Sequence, residues 1–327
     1  MVALVRWGIL SAGLMADRFV SDLRKTPGAE VVAVAAQSIQ RAEAFAAKHR
    51  ISRAYDSYEV LAKDPGIDVI YVATTHNFHK SHTLLCLENG KHVLCEKPFA
   101  LNAIEACQMI ACAGEKRLFL MEAMWSRFNP VYKRAMQWVK DGLIGEVRML
   151  KADLGFRASW EPQHRLLNPA LAGGSILDVG IYPLALASHL FGPKPSEIQA
   201  LAFLGATGVD EQAGIMLQYP QGQLALLSSS IRTRTPHNAF IMGTKGMIWI
   251  PMFWRARLAV LWRSRKLPRI TWGSAGYEHE AAEVNQCIRE GKLESASVTL
   301  AESLALMETM DQIRKKIGLK YPGDVSA

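Results

Sequence analysis

Residues 90–100 read Gly-Lys-His-Val-Leu-Cys-Glu-Lys-Pro-Phe-Ala. A short apolar run after a glycine is the pattern of an interior parallel strand, and this one stops abruptly at Glu96, Lys97 and Pro98. In open α/β sheets, ligands bind at the carboxyl ends of such strands. The Lys97-Pro98 step keeps Lys97 out of the α region and favours a cis bond more than other steps do, so the ammonium is aimed. Taken alone, the stretch also fits a surface lysine at a strand end.

On both sides of it, strand and helix alternate. Strands are predicted at Arg6 to Ser11, Glu30 to Ala36, Asp68 to Ala73 and Leu118 to Glu122. Helices are predicted at Leu14 to Lys25, Ile39 to His49, briefly around Glu59, then Phe78 to Asn89 and Ala103 to Gly114. This rhythm specifies a parallel sheet covered on both faces. After Glu122 it changes. Asn129 and Pro130 start a helix running to Asp141, a strand covers Glu146 to Leu154, and a loop leads to a helix over Ile176 to Phe191. Strands then dominate: Glu197 to Leu204, Ala213 to Tyr219, Gln223 to Ser230 and a hairpin turning at Gly243 to Gly246. Helices at Tyr277 to Glu290 and Leu300 to Ile317 close the chain, the last with a Thr299 to Glu302 capping box. The expected fold class is α/β: a dinucleotide-binding domain of Rossmann type over residues 1–123, and an α+β domain with a mainly antiparallel open sheet over 124–327.

The 327 residues, half of them hydrophobic, suffice for two cored domains. The longest apolar runs look strand-sized, so no membrane span is expected, and the first residues are too short and polar a stretch for a signal peptide. Five cysteines (Cys86, Cys95, Cys107, Cys112 and Cys287), with no CxxC pair, fit reduced thiols and a cytoplasmic location, without a disulfide framework or metal site. The net charge of +8 raises nucleic acid as a partner, but Arg255, Arg257, Arg263, Arg265, Lys266 and Arg269 account for six of the eight. That segment reads as a solvated hairpin on a sheet edge, where charge discourages edge pairing; DNA binding would show as salt-dependent retention.

Two further stretches carry chemistry. Gly8 to Ala16 links a strand to a helix, where backbone N–H groups and the helix dipole favour a pyrophosphate; Ser11, Gly13 and Ala16 stand at the three small-residue positions of the dinucleotide pattern, with Leu14 and Met15 between them. In Gly173-Gly174-Ser175-Ile176-Leu177-Asp178-Val179-Gly180-Ile181-Tyr182, Asp178 and Tyr182 are four apart and share a helix face. They are either a satisfied core pair or a proton-transfer pair. A lysine near a tyrosine lowers a phenol pKa that starts near ~10, which suits alcohol oxidation, where the hydroxyl proton must be taken up as hydride leaves.

At these residues the chain resembles the glucose-fructose oxidoreductase, inositol dehydrogenase and rhizopine catabolism (Gfo/Idh/MocA) family of nicotinamide enzymes. The resemblance runs from Arg6 to about Gly323. It rests on the first-turn glycine, Glu96-Lys97-Pro98, the Trp125-Ser126-Arg127-Phe128-Asn129-Pro130 segment and the Gly-Gly-x-x-x-Asp-x-Gly-x-Tyr helix. Ser11, the run Phe119 to Ala123 and Gly180-Ile181-Tyr182 look most like the branch holding the dimeric dihydrodiol dehydrogenases and NADP-dependent xylose dehydrogenases. The resemblance implies Lys97, Asp178 and Tyr182 as catalytic residues, with Tyr182 the acid/base. It places Thr74, His76, His79, Glu96, Trp125 and Arg127 at the cofactor, and Phe128, Trp160, His164 and Arg165 at the substrate. His79 also reads as a packing histidine, and Trp125, Arg127 and Phe128 also read as plain interdomain packing.

The expected activity is hydride transfer between NAD(P) and a secondary carbinol of a carbohydrate or vicinal diol, by a homodimer with no nucleic-acid or membrane partner. A non-catalytic NADP-binding regulator is the alternative, against which an intact Lys97, Asp178 and Tyr182 speaks. NADP is the expected cofactor. NAD-selective folds end the second strand in a carboxylate, whereas here Ala36, Gln37 and Ser38 stand there, with Arg41 one turn on. Gln37, where the dihydrodiol enzymes have an arginine, leaves use of NAD open.

Overall fold

The computed structural model describes residues 3–324. The first half forms β1 (Val5–Leu10), α1 (Leu14–Leu23), β2 (Ala29–Ala35), α2 (Ile39–His49), β3 (Arg53–Tyr55), α3 (Tyr58–Lys63), β4 (Val69–Val72), α4 (His79–Glu88), β5 (His92–Glu96), α5 (Ala103–Lys116) and β6 (Leu120–Ala123). All six strands are parallel, in the order β3-β2-β1-β4-β5-β6. The order reverses beside β1, which makes the ends of β1 and β4 the binding edge of such a sheet. Three of these helices start where a side chain caps them: Ser38 accepts from Arg41 N, Ser57 from Val60 N and Asn102 from Glu105 N, each satisfying an orphan donor.

The second half forms α6 (Pro130–Lys140), β7 (Val147–Gly155), α7 (Ile181–Phe191), β8 (Glu197–Leu204), β9 (Asp210–Gln218), β10 (Leu224–Ser230), β11 (Asn238–Gly243), β12 (Gly246–Pro251), β13 (Leu258–Arg263) and β14 (Lys266–Trp272). The eight strands run β14-β13-β12-β11-β7-β10-β9-β8, antiparallel except for β7 beside β10. The basic segment is the β13–β14 hairpin at one edge, with β14 almost wholly exposed. β9 alternates buried and exposed residues, as a sheet with one covered face requires. The stretch Pro169–Phe191 is long and apolar enough to cross a membrane, contrary to the expectation that apolar runs are strand-sized. Yet 89% of its most apolar window is buried within the protein, so it is a core element.

The chain closes with α8 (Glu278–Arg289) and α9 (Leu300–Ile317). The expected capping box forms, with Thr299 N donating to Glu302 and Glu302 N to Thr299 Oγ1, both at 3.1 Å. Two compact units result, 1–128 with 276–304, and 129–275 with 305–327. The contiguous division at 123/124 therefore differs from the observed one, because α8 returns to the first unit. There Trp7 Nε1 donates to Asn285 at 3.0 Å, Tyr277 N to Asp22 at 3.0 Å and Leu120 N to Leu293 O at 3.0 Å; Ala281, Val284 and Cys287 form the buried face.

Candidate active site

In the first unit the site is built at the strand tips. Ser11 closes the β1–α1 turn at φ +101°, in the region that favours glycine, while its N–H bonds Ala35 O at 3.0 Å. Gly13 begins α1 with no side-chain cap, so the first-turn N–H groups face outward for an anion. Leu14 is exposed on that turn, with Met15 beside it. At the tip of β2, Ser38 caps α2 and Arg41 is exposed on its first turn. These residues fit a dinucleotide: Ser11, Gly13, Leu14 and Met15 would hold the pyrophosphate, and Ser38 and Arg41 the adenosine ribose.

At the tip of β5 the Lys97-Pro98 bond is cis. Glu96 is buried and accepts from the Tyr71 hydroxyl and, at 3.2 Å, from Lys97 N, so it fixes the base of the lysine. Glu122 on β6 braces the backbone just beyond Pro98, accepting from Phe99 N at 3.0 Å and Ser303 Oγ at 2.7 Å. His79, expected at the cofactor, is fully buried, with Nδ1 2.7 Å from Pro98 O and Nε2 3.2 Å from Thr74 O. Burial pushes its pKa down to about 4, so at neutral pH the ring has one N–H, which the shorter contact assigns to Nδ1. It is a strut joining two strand tips, behind the site. His76 is also buried, its ring 5.7 Å from that of His79; Thr74 Oγ1 is 3.1 Å from His82 Nδ1.

The Trp125–Phe128 turn makes contacts with the 276–304 segment. Arg127 donates to Ser297 O at 2.7 Å and lies 3.5 Å from Glu302. Trp125 packs on Tyr277, ring centroids 4.6 Å apart. Phe128 is 1% exposed. Arg127 and Trp125 thus meet the returning 276–304 segment, which the sequence pattern assigned to the other half.

Burial pushes the Glu122 carboxyl up to about 7, and the consequence is measurable. Between the ordinary value of 4.5 and about 7, the folded protein holds a proton that the unfolded chain has released. Stability therefore falls as pH rises through this window, by roughly 3 kcal/mol. In Glu122→Gln that contribution is expected to vanish. Thermal melts from pH 4.5 to 7.5 should show a flatter dependence than wild type, and an unchanged slope would contradict the assignment.

In the second unit, a π-helical turn, Ile176–Gly180, precedes α7 where the sequence predicted one continuous helix. Pro183 has no N–H to offer the carbonyl of Val179, so an α ladder cannot run through. The turn is anchored by Asp210, whose Oδ2 accepts from Ile176 N at 2.8 Å and Ser175 Oγ at 2.7 Å; Ser175 Oγ lies 2.8 Å from Ser229 Oγ. Burial raises the Asp210 pKa to about 6. Gly174, at φ +116°, is obligatory: a Cβ there would lie 2.1 Å from Asp210 Oδ1. Asp178 and Tyr182 are both buried on this element. Arg165, expected at the substrate, directs both terminal nitrogens to Asp178 Oδ1 at 3.2 Å. Tyr182 lies 6.1 Å from the Trp254 ring, a neighbour the sequence did not single out. Trp160 is exposed beneath the Arg232 guanidinium, 4.7 Å from the ring centroid, and half-buried His164 lies 3.4 Å from Leu166 N. Thus Asp178, Tyr182, Arg165 and Trp254 gather in one unit, while Lys97 and the dinucleotide residues gather in the other.

Residues 5–124 match the oxidoreductase family with an NAD-binding Rossmann fold, and residues 132–249 match the GFO/IDH/MocA C-terminal domain. The chain is 43% identical over 331 residues to trans-1,2-dihydrobenzene-1,2-diol dehydrogenase of Mus musculus, covering 98% of this chain and 99% of that one. To the Homo sapiens enzyme of the same name it is 39% identical over 332 residues, with 98% and 99% covered. Among solved structures, an aldose-aldose oxidoreductase from Caulobacter crescentus aligns with a TM-score of 0.88 at 24% identity, covering 96% of this chain and 97% of that one. A 3-ketoreductase from Actinomadura kijaniata, crystallised with NADP, aligns with a TM-score of 0.84 at 22% identity, covering 96% and 98%.

Proposed function

The chain belongs to the GFO/IDH/MocA oxidoreductase family, and we propose that it acts on a secondary carbinol, or the matching carbonyl, of a sugar or vicinal diol, with NADP preferred to NAD. The observation that carries this reading is Tyr182, a buried phenol one turn from Asp178, in a chain whose full-length relatives are named diol dehydrogenases. Bound nicotinamide supplies the hydride acceptor or donor. Tyr182 takes up the carbinol proton as the alcohol is oxidised and returns it in the reverse direction. Lys97, aimed by the cis bend after β5, is the cationic residue of the proposed catalytic group. Asp178, paired with Arg165, orients the substrate hydroxyl.

For the cofactor, support comes from the uncharged tip of β2 and the exposed Arg41, since an arginine fork binds a 2′-phosphate strongly. kcat/KM is expected to favour NADP, and Arg41→Ala is expected to erode that preference by about tenfold. A wild-type preference for NAD beyond about tenfold, or ~1.4 kcal/mol, would overturn the proposal. A homodimer is also proposed. Leu201, Phe203, Met216 and Leu226 expose an apolar patch on the outer face of β8, β9 and β10, of the kind that marks an interface. Sedimentation as a monomer at micromolar concentration would remove it.

A further inference from the structure

β7 and β10 are the one parallel pair of their sheet, Ser230 opposite Gly155, so they exit side by side at the same end. Pairing continues past their tips: Phe156 N donates to Ser230 O at 3.0 Å and Ala158 N to Ile231 O at 2.8 Å. The chain after β10 then folds back over Gly155, where Thr235 N donates to Gly155 O at 3.0 Å. Two adjacent bends thus carry Arg157 on one side, and Arg232 and Arg234 on the other. The turn holding Asp178 rests on the same tips, because a Cβ on Gly180 would lie 3.2 Å from Ser229 Oγ. Phe253 N donates to His237 O at 3.3 Å, which brings in Trp254 beside Tyr182 and the Arg255 guanidinium 4.9 Å above the Trp254 ring.

Of the acids at this end, Asp210 is buried and held by Ser175 and Ile176 N. Asp178 pairs with Arg165, and Glu211 with Arg232. Asp153 accepts from His237 N at 2.8 Å and Asn238 N at 3.3 Å. Arg157, Arg234 and Arg255 are exposed and, among the described residues, meet no carboxylate. Crowded like charges repel, and a guanidinium fork matches carboxylate and phosphate oxygens bidentately.

We infer that the substrate of this site is an anionic carbohydrate, a sugar carrying a carboxylate or phosphate that Arg157 and Arg234 bind. The inference rests on the sugar or diol reading above and narrows it. Glu211 fixes Arg232 against Trp160, so that pair forms a wall, while the other two arginines bind the anion.

The test uses the full chain saturated with NADP, and D-glucose, D-glucuronate and D-glucose 6-phosphate as probes. Both kcat/KM and calorimetric affinity are measured at low and high salt, for wild type and Arg157→Gln/Arg234→Gln. At least one anionic sugar is expected to exceed glucose by tenfold or more at low salt. Glucuronate alone showing the gain assigns a carboxylate, and the 6-phosphate alone a phosphate. The advantage is expected to shrink with salt and to fall at least fivefold in the double variant. Glucose performing as well as both anions, or an advantage unchanged in the double variant, overturns the inference. Selective binding without turnover of any sugar retains the anion site and overturns the oxidoreductase reading instead.

Discussion

Tyr182→Phe is expected to lower kcat by about 10² or more, the scale of a lost general acid/base, with little change in cofactor affinity. The substitution removes only the hydroxyl. The ring keeps its place beside Trp254, and the anchor of the turn through Asp210, Ser175 and Ile176 is untouched, so a fall in turnover reports chemistry and not unfolding. The loss should appear equally in kcat and kcat/KM, as for an interaction made only in the transition state. Turnover near wild type would move the proton to Lys97.

Lys97→Met is expected to cost a similar factor by a different route, and the pH profile separates the two. Loss of the lysine removes the positive charge proposed for the catalytic group, so the limb of the pH–rate profile that reports the general base should move to higher pH. Tyr182→Phe has no such limb to move. Glu96 and Glu122 hold the backbone on either side of Lys97 through Lys97 N and Phe99 N, so a neutral side chain of similar length leaves the bend supported. A profile unmoved in Lys97→Met would remove its electrostatic role while leaving any positioning role intact.

How much of this was written in the sequence depended on range. The first sheet was legible because most of its strands are buried on both faces and alternate with helices. β3 was not: three half-buried residues, Arg53 to Tyr55, have no apolar signature. Lys97 announced itself through Pro98, and Asp178 with Tyr182 through their spacing, although the π turn between them was hidden in Pro183. Nothing local marks Asp210, whose partners Ser175 and Ile176 lie on the far side of α7 and β8 in the chain. Nor does anything local mark the return of α8 to the first unit, made by contacts such as Trp7 to Asn285. His79 bridges Pro98 O and Thr74 O, and Arg127 reaches Ser297 O, contacts that fit the packing role the sequence left open for each beside a role in the cleft.

The most direct measurement mixes the purified chain with NADP, and separately with NAD, in the presence of aldoses, sugar acids, sugar phosphates and cyclic vicinal diols. Absorbance in the reduced-nicotinamide band is followed. The account predicts that the band grows with at least one such substrate, faster with NADP, and that Tyr182→Phe abolishes most of the growth. Tight cofactor binding with no reduced nicotinamide formed from any of them, and none consumed with the matching carbonyls, would contradict it and favour a non-catalytic dinucleotide-binding protein.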